Sequence, residues 1–341
     1  MPVIAADRLT RAAETLLGGL GAAPDEAATV AGLLVKADLW GVHSHGVRAI
    51  NMYAGFVRSG AIVPRATPRV VRQTAATALV DGAFGFGQTT CRFAMQIAIA
   101  KAREAGVAWV GVYNCNHAGS LADYPMMAAE RGLVGHMVAN SASVVAPFGG
   151  IKPILGTNPM CWAFPTGGPH PIVFDAATSA ITWGALAARH RKGEQVEPGL
   201  ILDAEGQPTT DPARYFAEPG GAILPMANHK GYGLGLVVDF LGGALPGTGC
   251  GGAIGWEAQG VSLMALDPAC FGDPAAFRDH LDRQVARLKA VPRAAGTAEI
   301  LLPGEKEHRL ADDRRRNGIP LDDVVWADLG KLAAELKVAL P

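Results

Sequence analysis

The densest group of side chains able to do chemistry is Gly41-Val42-His43-Ser44-His45-Gly46-Val47-Arg48, a polar segment in apolar surroundings. The His45 imidazole can give or take a proton near neutral pH. Arg48 can hold a carboxylate through two parallel hydrogen bonds, and the Ser44 hydroxyl can add another. Those are the parts needed to hold a 2-oxo acid and protonate its carbonyl during reduction. The same residues also read as a polar loop at a helix end with a capping serine. A second candidate, Asn114-Cys115-Asn116-His117-Ala118-Gly119-Ser120, follows the apolar run Val107 to Val112. Polar residues just after a strand are where α/β proteins place sites, although a lone histidine there also serves structure. The loop carrying Pro147-Phe148-Gly149-Gly150 and Gly156-Thr157-Asn158-Pro159 can hold backbone amides out to a ligand, or simply connect strands. Asn228-His229-Lys230-Gly231-Tyr232-Gly233 sets a cation at a glycine-flanked helix start, which suits a phosphate; an ordinary surface lysine is the other reading.

These residues need elements to position them. Leu9, Ala12, Ala13, Leu16, Leu17 and Leu20 recur at helical spacing, and Gly21 follows as a stop. Pro24 opens a second helix with Asp25 and Glu26 in its first turn, running toward Asp38. From about Ala76 short apolar runs alternate with glycine. Ala78 to Val80, Val107 to Val112, Val134 to Ala139 and Pro171 to Phe174 are expected strands. A helix over Thr89 to Glu104 ends at Gly106. Phe271 to Leu288 is expected to be helical, Ile300 to Leu302 a short strand, and the tail from Leu321 mostly helical. Helices at both ends flank a β-rich middle, so the ends are expected to pack together. Gly82-Ala83-Phe84-Gly85-Phe86-Gly87 lacks the G-x-G-x-x-G spacing and reads as turns, so a Rossmann dinucleotide site is not supported.

Bulk properties exclude several classes. The 341 residues are 49% hydrophobic and 18% charged, enough for a large core and little disorder. A net charge of −1 gives no field to recruit nucleic acid or an acidic membrane. The five cysteines form no C-x-x-C pair, so neither a disulfide framework nor a thiolate metal site is expected, and no metal is expected. No run approaches bilayer length or a signal peptide, so a cytoplasmic protein is expected.

Taken in order, Gly41 to Arg48, Pro147 to Gly150, Gly156 to Pro159, Phe174-Asp175-Ala176-Ala177-Thr178-Ser179, Pro208-Thr209-Thr210-Asp211-Pro212, His229 to Gly233 and Pro303-Gly304-Glu305 resemble the type-2 malate/L-lactate dehydrogenase family, from about Leu9 to Leu310. That family includes ureidoglycolate and sulfolactate dehydrogenases, 2,3-diketogulonate reductase and Δ1-piperideine-2-carboxylate/Δ1-pyrroline-2-carboxylate reductase. The resemblance implies an α/β (α+β) fold. Its non-Rossmann NAD(P)-binding domain, residues 76–274, is built on a largely antiparallel sheet. A helical substrate and dimerisation domain comes from residues 1–75 with 275–341. It also implies NADH or NADPH as cofactor, no metal, and a homodimer. His45 maps onto the proton donor, with Ser44 and Arg48 at the substrate; His117 maps onto a histidine that some members use as acid/base. Asn140, Ser141, Thr157, Asn158, Asp175, Ala176, Ala177, Thr178, His229, Lys230, Gly231, Gly304 and Glu305 map onto cofactor contacts.

The chain departs from the family at Ala118, where phenylalanine is common, at Ala176, where methionine is usual, and at Asn228, where glycine is frequent. These changes bear on the substrate more than on the chemistry. The expected reaction is hydride transfer to C2 of a small 2-imino or 2-oxo carboxylate. His43 before Ser44 and the run Pro171 to Asp175 lean toward the cyclic imine reductases. The alternative is a 2-hydroxy acid dehydrogenase acting on malate, lactate, sulfolactate or ureidoglycolate. A non-catalytic nucleotide-binding homologue is opposed by the intact Ser44, His45, Arg48, His117 and Lys230. Arg189, His190, Arg191, Lys192 or Lys306 could meet the 2′-phosphate of NADPH, although a basic run is usually a solvated face.

Overall fold

The computed structural model describes all 341 residues. The chain opens with β1 (Val3–Ile4), α1 (Ala6–Gly19) and α2 (Pro24–Leu39). A single 3-10 turn over His43–His45 leads into α3 (Ala49–Arg58). Then come β2 (Arg69–Gln73), β3 (Thr77–Asp81), α4 (Gly87–Ala105), β4 (Val107–Cys115), α5 (Asp123–Ala129), β5 (Val134–Ala139), β6 (Met160–Phe164) and β7 (Ile172–Ala176). After α6 (Trp183–Lys192) lie the short β8 (Ile201–Leu202), β9 (Pro208–Thr209), α7 (Pro212–Tyr215) and β10 (Ala222–Ile223). The chain closes with α8 (His229–Asp239), β11 (Gln259–Leu266), α9 (Pro274–Ala290), α10 (Glu305–Asn317), β12 (Ile319–Pro320) and α11 (Asp323–Leu336).

The large sheet has seven strands in the order β2-β3-β4-β11-β5-β6-β7. Only β3 and β4 run parallel, joined by α4; every other neighbouring pair is antiparallel. The largely antiparallel sheet is therefore as expected. It starts at Arg69, because β2 pairs with β3. The inner strands β5 and β11 are buried on nearly every residue, as strands covered on both faces must be. The two chain ends meet: β1 pairs with β12, α1 packs on α11, and α10 packs on α2. One hydrophobic core joins those helices to the sheet, running from Leu16, Leu34 and Tyr53 through Phe86 and Met95 to Met137, Leu263 and Leu329. A second, small core of eight residues, including Leu186, Ile201, Tyr215 and Ile223, holds β8, β9 and β10 against α6 and α7. No helix is long and apolar enough to cross a membrane.

Two expectations about elements are corrected. Ile300 to Leu302 forms no strand; Pro303 follows it, and the one backbone hydrogen bond from this segment to β7 is the Val173 amide donating to the Pro303 carbonyl at 3.2 Å. The helix expected from Phe271 starts at Pro274, because Asp273 accepts from the Ala275 amide at 2.9 Å and caps it there.

Candidate active site

The turn carrying Ser44 and His45 is shaped by Asp38, the penultimate residue of α2, which is 1% exposed. Its carboxylate accepts from the Val47 amide at 2.8 Å and from His43 Nδ1 at 2.7 Å. Arg314 of α10 donates to His43 Nε2 at 3.1 Å and to the Asp38 carbonyl. These contacts at both ring nitrogens hold the His43 side chain in place against α2 and α10. Gly46 is required beside it: a Cβ there would lie within 3.0 Å of the Asp38 carboxylate.

His45 and His117 meet across the cleft with ring centroids 5.4 Å apart and planes 19° apart. Ser44 Oγ lies 2.9 Å from His45 Nδ1. A hydroxyl can donate or accept there, so His45 Nε2 is free to carry or lose a proton. The opposite holds for His117. Gln88 Nε2 donates to the Tyr53 hydroxyl at 2.6 Å, and Tyr53 lies 2.9 Å from His117 Nδ1. Tyr53 therefore donates to Nδ1, and the His117 proton sits on Nε2. Burial, then the Arg48 charge, pulls the His45 pKa down to about 4; burial, then His45, pulls that of His117 down to about 3. Both rings are neutral at pH 7. Arg48 is half-buried and makes neither an ion pair nor a hydrogen bond with the protein. Ser44, His45, Arg48 and His117 are thus brought together.

The loop of His117 is fastened on several sides. Ala118 donates to Gln259 Oε1 at 2.7 Å and its carbonyl accepts from the Tyr124 hydroxyl. Asn116 Nδ2 donates to the carbonyls of Ala61, Phe84 and Gly85. The start of α4 presses on the same loop, where a Cβ on Gly87 would lie within 3.0 Å of the Asn116 and His117 carbonyl oxygens. The glycine-rich stretch before α4 is therefore a close backbone approach as well as a turn. Gly87→Ala is expected to lower stability by about 1–3 kcal/mol and to displace His117. Denaturant midpoints and turnover, measured together, check this.

The expected cofactor residues divide in two. One set follows β7, an edge strand of the sheet, and its continuation. Gly304, at φ +85, packs on Val173; Asp175 accepts from the Ala122 amide at 2.9 Å; the Met226 amide, just before α8, donates to Thr178. Ala176 and Ala177 are half-buried between them. Protein packed around the Asp175 carboxyl, together with Asp123, raises its pKa to about 6 although the residue keeps an open face. His229 and Lys230 are exposed in the first turn of α8, and Lys230 has no acidic partner. Gly231, beside them, is buried against Met226. The second set is internal. Asn140, fully buried, spends its amide on Asp239, Gly249 and Gly260. Asn158, also fully buried, accepts from the Ser141 amide and donates to the Gly235 carbonyl, while Thr178 donates to the Asn158 carbonyl. Ser141 and Thr157 hydroxyls lie 3.4 Å apart. These residues tie α8 to the end of β5. Glu305 caps the Leu302 amide at 3.0 Å and pairs with Lys289 and Arg309. No group of three or more His, Cys, Asp or Glu is placed to hold a metal.

Sequence reasoning missed Asp38, Tyr53, Gln88, Gln259 and Arg314. Gln88 is 1% exposed, and a buried amide in the first turn of a helix is the signal that it has a distant partner.

The family model for malate/L-lactate dehydrogenase matches residues 4–330. The chain is 37% identical to the L-sulfolactate dehydrogenase of Methanothermobacter thermautotrophicus over 93% of its length and 92% of that protein. It is 40% identical to the Δ1-pyrroline-2-carboxylate/Δ1-piperideine-2-carboxylate reductase of Pseudomonas putida over 83% of each. Among solved structures, sulfolactate dehydrogenase from Methanocaldococcus jannaschii superposes with a TM-score of 0.91 at 32% identity, covering 99% of this chain and 98% of that one. Near-complete coverage in sequence and fold, together with the histidine pair and the free arginine, leads to one conclusion: the chain belongs to the malate/L-lactate dehydrogenase family and is an oxidoreductase.

Proposed function

We propose that this enzyme reduces C2 of a small 2-oxo or 2-imino carboxylate with NADH or NADPH. The observation that carries the reading is Arg48, half-buried and unpaired beside two neutral histidines. Arg48 holds the substrate carboxylate and fixes its orientation. His117, with its proton pinned on Nε2 by Tyr53, donates a hydrogen bond to the C2 oxygen or nitrogen. His45, whose outward nitrogen is uncommitted, takes up a proton from solvent at Nε2 and passes it to the reduced atom, and in the reverse direction, as the neutral ring, removes it. The nicotinamide supplies the hydride. The relatives support both substrate types, since one acts on cyclic imines and another on sulfolactate.

The residues fit a dinucleotide. Lys230 is an unpaired cation in the first turn of an 11-residue helix, where amides and charge together favour phosphate. The edge of β7, with Asp175, Ala176 and Ala177, offers an open strand along which such a cofactor can lie, between Gly304 at one end and Lys230 at the other. In this reading Asn140, Asn158, Thr178 and Glu305 shape the cleft from inside. The sheet-bearing part, 76–274 together with β2, carries the cofactor, and the helical part built from both chain ends carries the substrate. A homodimer is part of the proposal, with its contact on the sheet-bearing part and not on the helical part expected from the sequence: Val237, Phe240 and Leu245, around 50% exposed or more, present an apolar surface on α8 and the turn after it that a second copy would cover.

Decay of NADH and NADPH absorbance with pyruvate, oxaloacetate, Δ1-piperideine-2-carboxylate and Δ1-pyrroline-2-carboxylate tests the reading. Lys230→Ala is expected to weaken cofactor binding by about 1.5–3 kcal/mol with little change in the hydride step at saturating cofactor. Fluorescence titration measures this, and an unchanged dissociation constant removes Lys230 from the cofactor site.

A further inference from the structure

Helix α6 lies directly on the catalytic turn. A Cβ built on Gly184 would sit 3.1 Å from the Ser44 Cβ, so the helix face bearing position 184 is the face turned to Ser44. Position 191 is seven residues further on, two turns, and returns to that face within about 20°. Arg191 is exposed and has no acidic partner, whereas Arg189, on another face of the same helix, pairs with Glu194 and Glu197. The basic run at the end of α6 is therefore not uniform: Arg189 belongs to an ordinary solvated surface and Arg191 points toward the site. Burial and then the positive charge of Arg191 lower the Arg48 pKa, while Asp322 and Asp38 act on Arg48 in the opposite sense without forming an ion pair with it. Two neighbouring guanidinium groups without a carboxylate bridging them are mutually unfavourable until an anion lies between or across them.

We propose that Arg191 is a second anion-binding group of this active site, selecting substrates that carry a further carboxylate or sulfonate beyond the one held by Arg48. The inference rests on reduction at C2 of a 2-oxo or 2-imino carboxylate. It favours the dianionic members of that class over pyruvate and over the cyclic imino acids, which have a single carboxylate. Arg48 fixes the C1 carboxylate next to His45, and Arg191, one helix away, meets the distal group.

The test measures kcat and KM with oxaloacetate, pyruvate and Δ1-piperideine-2-carboxylate for the wild type, Arg191→Gln and Arg191→Lys. The wild type is expected to prefer oxaloacetate, and Arg191→Gln to cut the ratio of kcat/KM for oxaloacetate over pyruvate by about tenfold or more, mainly through KM. Arg191→Lys should restore part of that ratio, which a purely structural role would not produce. An equal fall for all three substrates in Arg191→Gln, or a wild type without preference for the dianion, overturns the assignment of Arg191 and leaves reduction at C2 standing. Failure of the wild type to reduce any of the three with either cofactor overturns both.

Discussion

Replacing His45 with glutamine is expected to lower kcat by about 10²–10⁴-fold in a protein that still folds and still binds NAD(P)H. His45 is half-buried rather than part of the core, and Ser44 is its only hydrogen-bond partner, so its removal leaves no cavity and no buried orphan. What disappears is the group proposed to exchange a proton with the atom bonded to C2. His117→Gln is the internal comparison. His117 is held by Tyr53 in the tautomer that donates from Nε2, so it orients and polarises and is expected to show the smaller fall in kcat. The pH profile separates the two roles. In the oxidation direction His45 must be neutral to accept a proton, and its ligand-free value of about 4 lies well below the ordinary 6.5. kcat/KM should therefore stay level from about pH 8 to 5 and fall with a midpoint near 4, a limb that His45→Gln lacks. The same shift has a stability consequence. The unfolded chain binds protons at 6.5 while the folded His45 does not until about 4, so stability falls as pH drops through that window.

Arg48→Ala is expected to reduce kcat/KM by about 10²-fold or more, because the substrate carboxylate is then deprived of a pair of charge-assisted hydrogen bonds. Since Arg48 has no partner within the protein, its removal strands no carboxylate, and folding should be retained. Added guanidinium should recover part of the activity. Arg48→Lys should not match wild type, because an ammonium cannot reproduce the planar fork. A normal KM in Arg48→Ala would move the carboxylate site elsewhere, with Arg191 the next candidate.

Much of the candidate site is local in sequence and is therefore legible there. Ser44, His45 and Arg48 sit within five residues, and His117 follows a plain apolar strand, β4. The helices α1 and α2 show their buried stripes in their spacing, and β5 is an apolar run buried throughout. What stayed hidden depends on contacts between distant segments. Asp38 looks like the polar end of α2, and nothing local reveals that Arg314, on α10, would close over it and His43. Tyr53, Gln88 and His117 form one chain of hydrogen bonds from three separate segments. The central strand β11 was missed because Gln259, Gly260 and Ser262 interrupt its apolar pattern. Their polar atoms are satisfied far away, Gln259 by the Ala118 amide and Ser262 by the Leu241 carbonyl. Helix α10 was missed for a different reason: only His308 and Ala311 are buried in a highly charged segment, too few for a visible stripe. Asn140 and Asn158 match cofactor positions by motif, and the structure adds what the motif does not show: their side-chain amides hydrogen-bond inside the protein, to Asp239, Gly249 and Gly260 and to Ser141 and Gly235.

The proposed chemistry stands on hydride passing to C2 of a 2-oxo or 2-imino carboxylate held by Arg48. Isotope transfer reads that step itself. NADH and NADPH deuterated at the transferring position of C4 are offered with pyruvate, oxaloacetate and the two cyclic imino acids as acceptors, and NMR locates the label in the product. One deuterium is expected at C2 of the product from at least one acceptor, at a rate that falls sharply in Arg48→Ala. Folded enzyme that oxidises neither cofactor with any of the four, or that places the label on a carbon other than C2, would rule this chemistry out.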